Sequence, residues 1–173
     1  MTKRQEFTVI KTYSEFEIRE YAPCVVAEVK TSASYSDAGS SAFRSLFSYI
    51  SQGNKTAEKI AMTAPVITAQ KSENLTEGKW FVSFVMPAGS TLADMPLPID
   101  SRVVLRELGA EICVAVSFRG KATTALSAQK IAALRAAAEK ENVALSDETR
   151  IARFDPPFKP GFLQYNEIVI PII

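Results

Sequence analysis

The chain is poor in two side chains on which many catalytic and metal sites depend, because its 173 residues include two cysteines and no histidine. Without imidazole, neither a Ser-His-Asp nor a Cys-His catalytic unit can form, and no histidine can hold zinc. Cys24 and Cys113 are too far apart for a CxxC motif, and two thiols do not make the disulfide framework of a small secreted domain. These counts exclude many enzyme mechanisms and favour a cytosolic chain.

The other candidates for catalysis fit structural roles better. Ser40-Ser41 lacks the second glycine of a nucleophile elbow and has no base. Glu15, Glu17 and Glu20 form a carboxylate cluster, in which Glu15 and Glu17 share a strand face, as solvated charges do. Gly53-Asn54-Lys55 lacks the long glycine spacing of a phosphate-binding loop and is typical of a turn. We therefore expect a protein that is not an enzyme.

Length and charge indicate one soluble globular domain over residues 1–173. The chain is 47% hydrophobic and 23% charged, with Lys+Arg 20 against Asp+Glu 19. A formal charge of +1 supplies no field that would attract nucleic acid. No stretch reaches the ~18 apolar residues of a membrane helix, and no apolar run follows the first charged residues. We expect a cytoplasmic protein with neither nucleic acid nor a membrane span.

Segments rich in Val, Ile, Phe and Tyr predict strands. The predicted strands are 7–13, 15–21, 24–31, 60–69, 80–86, 104–108, 112–118, 149–154 and 165–172. In the third of them, Val25, Ala27 and Val29 share one face, which is the alternation of a half-buried antiparallel strand. These segments therefore predict a sheet with one dry face.

A first helix is predicted to begin with Ser36 or Asp37 as its cap. Its apolar residues recur at i, i+3, i+4 and i+7, namely Phe43, Leu46, Phe47 and Ile50. Gly53-Asn54 suits its end, because both residues tolerate the left-handed conformation that closes a helix.

A second helix is predicted to begin with Ser127 as its cap. Ile131, Leu134 and Ala138 stand 88 positions after Phe43, Leu46 and Ile50. The second helix is rich in alanine and can approach the sheet closely, whereas the first stands off on large rings. We therefore expect any cavity to lie beside the first helix.

The two helices belong to two similar halves. The order strand-strand-helix-strand-strand occurs twice, in pseudo-repeats at about 7–86 and 102–173, on either side of a Pro-rich connector at 87–100. This order predicts an α+β fold, with an antiparallel sheet and two helices packed on it.

Several ordered motifs resemble the SOUL haem-binding protein family. They are Arg19-Glu20-Tyr21, Phe43-Arg44-Ser45-Leu46-Phe47-Ser48-Tyr49-Ile50, Gly53-Asn54, Met62-Thr63-Ala64-Pro65-Val66, Phe84-Val85-Met86-Pro87, Leu97-Pro98, Phe118-Arg119-Gly120 and Tyr165-Asn166-Glu167-Ile168. The resemblance covers nearly the whole chain. It implies a distorted antiparallel barrel or sheet with two helices, and binding of haem or another tetrapyrrole in a shallow apolar pocket beside the first helix.

A porphyrin needs a flat hydrophobic slot and cations for its propionates. The resemblance points to Phe43, Phe47, Ile50 and Met62 as the slot, with Phe158 and Phe162 as a lid. The candidate cations at the rim are Arg44, Lys55, Lys59 and Lys159. An aromatic stripe at helical spacing is also typical of an ordinary core, so the same residues have a structural interpretation.

Some members of the family ligate haem iron through histidine, which this chain lacks. The remaining ligand types are the methionines, the cysteines and the five tyrosines, and a thiol or phenol would have to lose its proton. We expect no metal site beyond Met62 as a weak axial candidate. The expected function is loose, mainly hydrophobic tetrapyrrole binding.

A second interpretation is a general small-molecule module. The predicted fold also resembles the effector-binding domains of multidrug-responsive regulators, which hold cationic drugs with an apolar cavity and a buried carboxylate. Glu167 or Glu28 could supply that carboxylate, although we expect both on the solvated face of a strand.

Overall fold

A computed structural model of the chain describes residues 3–32, 35–71 and 79–173, with the side chains of residues 36–39 excluded. The strands are β1 (Phe7–Thr12), β2 (Glu17–Tyr21), β3 (Cys24–Thr31), β4 (Val66–Gln70), β5 (Trp80–Val85), β6 (Val103–Leu108), β7 (Glu111–Arg119), β8 (Thr149–Arg153) and β9 (Tyr165–Pro171). The helices are α1 (Tyr35–Ile50), α2 (Thr124–Lys140) and a single 3-10 turn (Gly161–Leu163).

The strands form one curled antiparallel sheet in the order β1-β2-β7-β9-β8-β4-β5-β3-β6. Helix α1 packs against β3, β5 and β6, and α2 packs against β7 and β9. The predicted α+β architecture of two helices on an antiparallel sheet is therefore confirmed.

The sheet order has an internal symmetry. In the two halves, β2, β3, β4 and β5 correspond to β6, β7, β8 and β9. When each strand between β2 and β6 in the sheet is replaced by its counterpart and the result is read backwards, the same strand order is obtained. Glu17 of β2 lies opposite Ala115 of β7, and Leu105 of β6, at the predicted offset of 88, lies opposite Ala27 of β3. Strands β2 and β6 thus each pair with a strand of the other half. This correspondence favours the interpretation that the halves are copies of one unit.

The predicted core faces are those that the helices cover. Val25, Ala27 and Val29 are buried in one cluster with Leu46 and Ile50 of α1. On α2, the buried positions include Ile131, Leu134 and Ala138. The apolar periodicity of α2, and on α1 the positions Leu46 and Ile50, therefore marked the faces that pack on the sheet.

Both predicted helix caps were wrong. Helix α2 is capped by Thr123, whose hydroxyl accepts the Leu126 N–H at 3.2 Å, and Ser127 is fully buried inside the helix. Thr123 stands earlier in the chain and satisfies the free N–H groups of the first turn. Helix α1 begins at Tyr35, so neither Ser36 nor Asp37 precedes it.

The strand predicted at 60–69 is shorter, because regular pairing begins only at Val66. Pro65 has no N–H to contribute to a ladder. The Thr63 hydroxyl instead donates to the Val85 carbonyl, and the Ala64 N–H donates to the Lys3 carbonyl at 2.7 Å. Residues 60–65 therefore link the end of α1 with the N-terminal segment.

Candidate functional site

The site expected beside the first helix is organised by the turn that ends it. Gln52, rather than Gly53 or Asn54, adopts the left-handed conformation, with φ at 81°. Gly53 is needed for another reason: a Cβ there would lie 2.4 Å from the Ser48 carbonyl oxygen. That oxygen accepts the Gly53 N–H at 2.8 Å. The predicted turn is present, but its residues act differently.

The buried side chain of Asn54 holds the next part of the chain against α1. Its Nδ2 donates to the carbonyls of Tyr49 at 3.0 Å and Glu58 at 2.9 Å, and its Oδ1 accepts the Glu58 N–H at 3.0 Å. The Ile60 N–H then donates to the Ile50 carbonyl at 2.9 Å. Asn54 therefore fixes the segment that faces the end of the helix.

An open depression of about 380 Å³ lies between this segment and the end of α1. Its lining residues are Phe47, Ile50, Ser51, Lys59, Ile60, Ala61 and Met62. Ile50 and Ile60 are buried beneath it, whereas Phe47 is 49% and Met62 41% exposed. The volume falls within the range of roughly 300–1,000 Å³ for small-molecule sites.

Four of the ten predicted ligand-binding residues line this depression: Phe47, Ile50, Lys59 and Met62. Phe43 lies behind it. Its ring stacks on Phe47 with centroids 5.9 Å apart and meets Phe84 edge-on at 5.3 Å. Phe43 therefore supports the exposed ring of Phe47 and belongs to the core beneath α1.

Two predicted rim cations lie elsewhere. Arg44 lines a separate groove together with Asp100 and Arg102. Lys55 is exposed, and its backbone N–H donates to the Leu97 carbonyl at 2.9 Å. Lys59 is thus the predicted cation that borders the depression.

The predicted lid residues stand apart from the depression, on the loop between β8 and β9. Phe158 is 88% and Phe162 75% exposed, and the Lys159 ammonium lies 2.9 Å from Asp155. None of the residues that line the depression comes from this loop. The lid stays a prediction.

Burial limits the possible iron ligands. Met86 is 2% exposed and Cys113 fully buried. Burial raises the pKa of the Cys113 thiol to about 12 and raises that of Cys24. Met62 lies on the depression. Within residues 3–32, 35–71 and 79–173, His, Cys, Asp and Glu form no cluster of three that could hold a metal.

A second site centres on Glu167, which sequence reasoning placed on a solvated face and which is 1% exposed. Its carboxylate accepts from Arg19 Nη1 at 2.8 Å, from the Tyr165 hydroxyl at 2.7 Å and from Arg4 Nη2 at 3.2 Å. The expectation failed because residues far away in sequence cover this strand. Glu28 is half-buried and pairs with Arg106 at 2.8 Å.

The groups around Glu167 keep fixed protonation states. Burial acts to lower the pKa of Arg19, but its hydrogen bonds and charge interactions with Glu167 and Tyr21 together outweigh this and hold the pKa above its ordinary value. Burial raises the pKa of Tyr21, 3.1 Å from Arg19, to about 12. Burial and the hydrogen bond to Glu167 also raise the pKa of Tyr165. Arg19 therefore stays charged and the two phenols stay protonated near neutral pH.

Solved structures share this fold at low sequence identity. The EcmrR C-terminal domain has a TM-score of 0.69 at 14% identity, over 92% of this chain and 97% of its own. A hydrolase from Listeria innocua has a TM-score of 0.66 at 14% identity, over 95% and 94%. SAV2435 bound to tetraphenylphosphonium has a TM-score of 0.57 at 13% identity, over 92% and 94%. No curated protein matches the chain.

The curled antiparallel sheet with two helices packed on it defines an α+β domain. The chain itself belongs to the SOUL haem-binding protein family, because the family model described as SOUL heme-binding protein matches residues 2–171. The family is one of binding proteins, with haem or another tetrapyrrole as the suspected ligand. Neither described helix is long and apolar enough to cross a membrane.

Proposed function

We propose that this protein binds haem or a related tetrapyrrole, without enzymatic activity, by laying one face of the macrocycle on the depression at the end of α1. The observation that carries the proposal is the pair of exposed apolar side chains, Phe47 and Met62, above buried Ile50. Contiguous exposed apolar surface on a folded protein is a common mark of a binding site. Membership of the family supplies the class of ligand.

The chemistry of the depression suits a flat, amphiphilic ligand. Phe47 and Met62 offer a ring and a polarisable thioether, both of which pack well against an aromatic macrocycle. Lys59 stands at the edge of the same depression, where its ammonium can pair with a propionate. Binding in this mode depends on contact area, with the iron as an accessory.

Separate titrations with haem and with metal-free protoporphyrin test the proposal. Absorbance and the quenching of the single tryptophan, Trp80, follow binding. We expect both ligands to bind with similar affinity, and Phe47→Asp to weaken both strongly. Val104→Asp, at a strand residue 57% exposed outside the depression, is the matched control and should bind like the wild type.

The role of iron is tested at Met62. Met62→Leu keeps the apolar surface and removes the thioether, so it should leave protoporphyrin binding unchanged. A strong preference for haem that Met62→Leu abolishes would identify Met62 as an axial ligand. If the wild type binds neither ligand, or if Phe47→Asp binds both normally, the proposed site is wrong.

A second candidate function is favoured by the buried carboxylate of Glu167, which a general effector site for cationic molecules would require. The likeness to the EcmrR C-terminal domain supports a fold that could carry such a site, and it does not extend to the ligand. Binding of a fluorescent cationic dye by the wild type, together with the absence of porphyrin binding, would favour this second function.

A cytoplasmic location stays a prediction.

A further inference from the structure

Arg4 occupies a place that has the chemistry of a cation receptor. Its Nη2 donates to both carboxylate oxygens of Glu167, at 3.2 and 3.4 Å. Its Cζ lies 4.8 Å from the ring centroid of Phe7 and 4.7 Å from that of Phe154. Both distances are inside the ~6 Å over which an aromatic ring attracts a cation. A buried carboxylate and two rings thus hold one planar cation.

The receptor side of this arrangement does not depend on Arg4. The carboxylate of Glu167 is already fixed by Arg19 at 2.8 Å and by the Tyr165 hydroxyl at 2.7 Å. The Tyr165 ring also meets Phe154 edge-on, with centroids 5.2 Å apart. Two walls of the site therefore keep their shape when Arg4 is removed.

The segment that carries Arg4 is attached along its backbone and flanked by open space. The Ala64 N–H donates to the Lys3 carbonyl at 2.7 Å, and the Ala64 carbonyl accepts the Gln5 N–H at 2.8 Å. Grooves of about 610 Å³ and 380 Å³ border the segment. The Arg4 side chain is 42% exposed although its partner is buried. Arg4 can therefore leave the site at a lower cost than Arg19 can.

Beneath Arg4 and Gln5 the sheet encloses a cavity of about 20 Å³, close to the size of one water molecule. Apolar side chains supply much of its wall, including Pro65, Ile67, Ala152 and Val169. Loss of the Arg4 side chain would join its volume to this cavity. The enlarged pocket would take a small apolar body that carries a cation.

We infer that Glu167, Phe7 and Phe154 form a binding site for a small planar organic cation, an amidinium or guanidinium on an apolar body, and that Arg4 fills this site as an internal ligand. The inference rests on the second candidate function and narrows its ligand class. An internal ligand lowers the apparent affinity for an external one by the fraction of molecules in which the site is free.

Calorimetric titration with benzamidinium tests the inference. Arg4→Ala should bind it saturably, about tenfold or more tightly than the wild type does. Benzamide, the neutral isostere, should not bind. Arg44→Ala removes one positive charge outside the site and should behave like the wild type. Arg4→Met, which keeps contact with the rings, replaces Arg4→Ala if circular dichroism shows that the alanine variant is unfolded.

A second substitution locates the bound cation. Phe154→Leu in the Arg4→Ala background should weaken benzamidinium binding several-fold by removing one ring. This change is preferable to Glu167→Gln, which leaves Arg19 buried without its partner. Tetraphenylphosphonium, which is bulky and not planar, should bind Arg4→Ala more weakly than benzamidinium does.

The inference is overturned if Arg4→Ala binds benzamidinium no better than Arg44→Ala, if benzamide competes, or if Phe154→Leu has no effect. It fails in its ligand class if tetraphenylphosphonium binds more tightly than benzamidinium. Wild-type binding of a cationic dye alongside any of these failures leaves the second candidate function standing. Haem titration of Arg4→Ala should match the wild type, since Arg4 does not line the depression.

Discussion

Arg19 Nη1 lies 2.8 Å from Glu167 Oε2, and the two side chains, from strands at opposite ends of the sequence, are 6% and 2% exposed. Breaking a buried ion pair strands the remaining charge, which costs about 3–5 kcal/mol. We predict that Arg19→Met lowers the free energy of unfolding by up to about that amount in urea denaturation, because Glu167 then keeps only the longer contact with the partly exposed Arg4 as its ion pair. Arg102→Met breaks the exposed pair of Arg102 with Asp100 and should cost less than about 1 kcal/mol. Equal costs would show that burial does not set the strength of the first pair.

The Asn54 side chain satisfies buried backbone groups on two segments. We predict that Asn54→Ala lowers the free energy of unfolding by about 1–3 kcal/mol, because the Tyr49 and Glu58 carbonyls lose their donor. It should also weaken tetrapyrrole binding, since the segment that borders the depression loses its anchor. A stable variant with unchanged binding would contradict both expectations.

Gly53 and Gly109 should respond differently to the same change. A Cβ at Gly53 meets the Ser48 carbonyl at 2.4 Å, and a Cβ at Gly109 meets nothing within 4 Å. We predict that Gly53→Ala destabilises the protein by about 1–3 kcal/mol through this clash. Gly109→Ala should be neutral, and thermal unfolding of both variants makes the comparison.

Alkaline pH should destabilise the fold. Burial raises the pKa of both the Cys113 thiol and the Tyr21 phenol to about 12, against ordinary values of about 8.5 and 10. Above those ordinary values the unfolded chain releases protons that the folded chain keeps. The free energy of unfolding should therefore change little from neutral pH to about pH 8.5 and fall as the pH approaches 12.

The contribution of Cys113 to this decline can be separated. Cys113→Ala should make the decline between about pH 8.5 and pH 10 shallower, leaving the part that Cys24 contributes before Tyr21 begins to act. Urea unfolding between pH 7 and pH 11 measures both curves. Identical curves in the wild type and the variant would assign the decline to other groups.

The periodic parts of the fold were predictable from the sequence. Apolar residues recur on one face of α2 and alternate along β3, because those elements bury one side against a partner. A depression beside α1 was expected from the difference in ring size between the two helices, whereas the grooves beside Arg4 were not. The family motifs identified Phe47 and Met62, which line it.

What the sequence could not supply are the contacts between distant segments. Ser127 has the side chain of a cap, but Thr123, nearer to the start of the helix, takes that role. Glu167 is a charged residue of a type that usually faces solvent. It is buried because Arg4 and Arg19, from the other end of the chain, lie against it and donate to its carboxylate. The pattern of residues within one segment carries no information about which distant segment will pack over it.

The pairing of β2 and β6 with strands of the other half has a consequence for synthesis of the chain. When the connector at 87–100 leaves the ribosome, β2 still lacks its neighbour β7, and β3 lacks β6. Because β4 also lacks β8, the amino-terminal half then exposes three unpaired strand edges, which are prone to pair with other chains. The protein can complete its sheet only after its last strands have been translated, so aggregation is most probable while translation is still in progress.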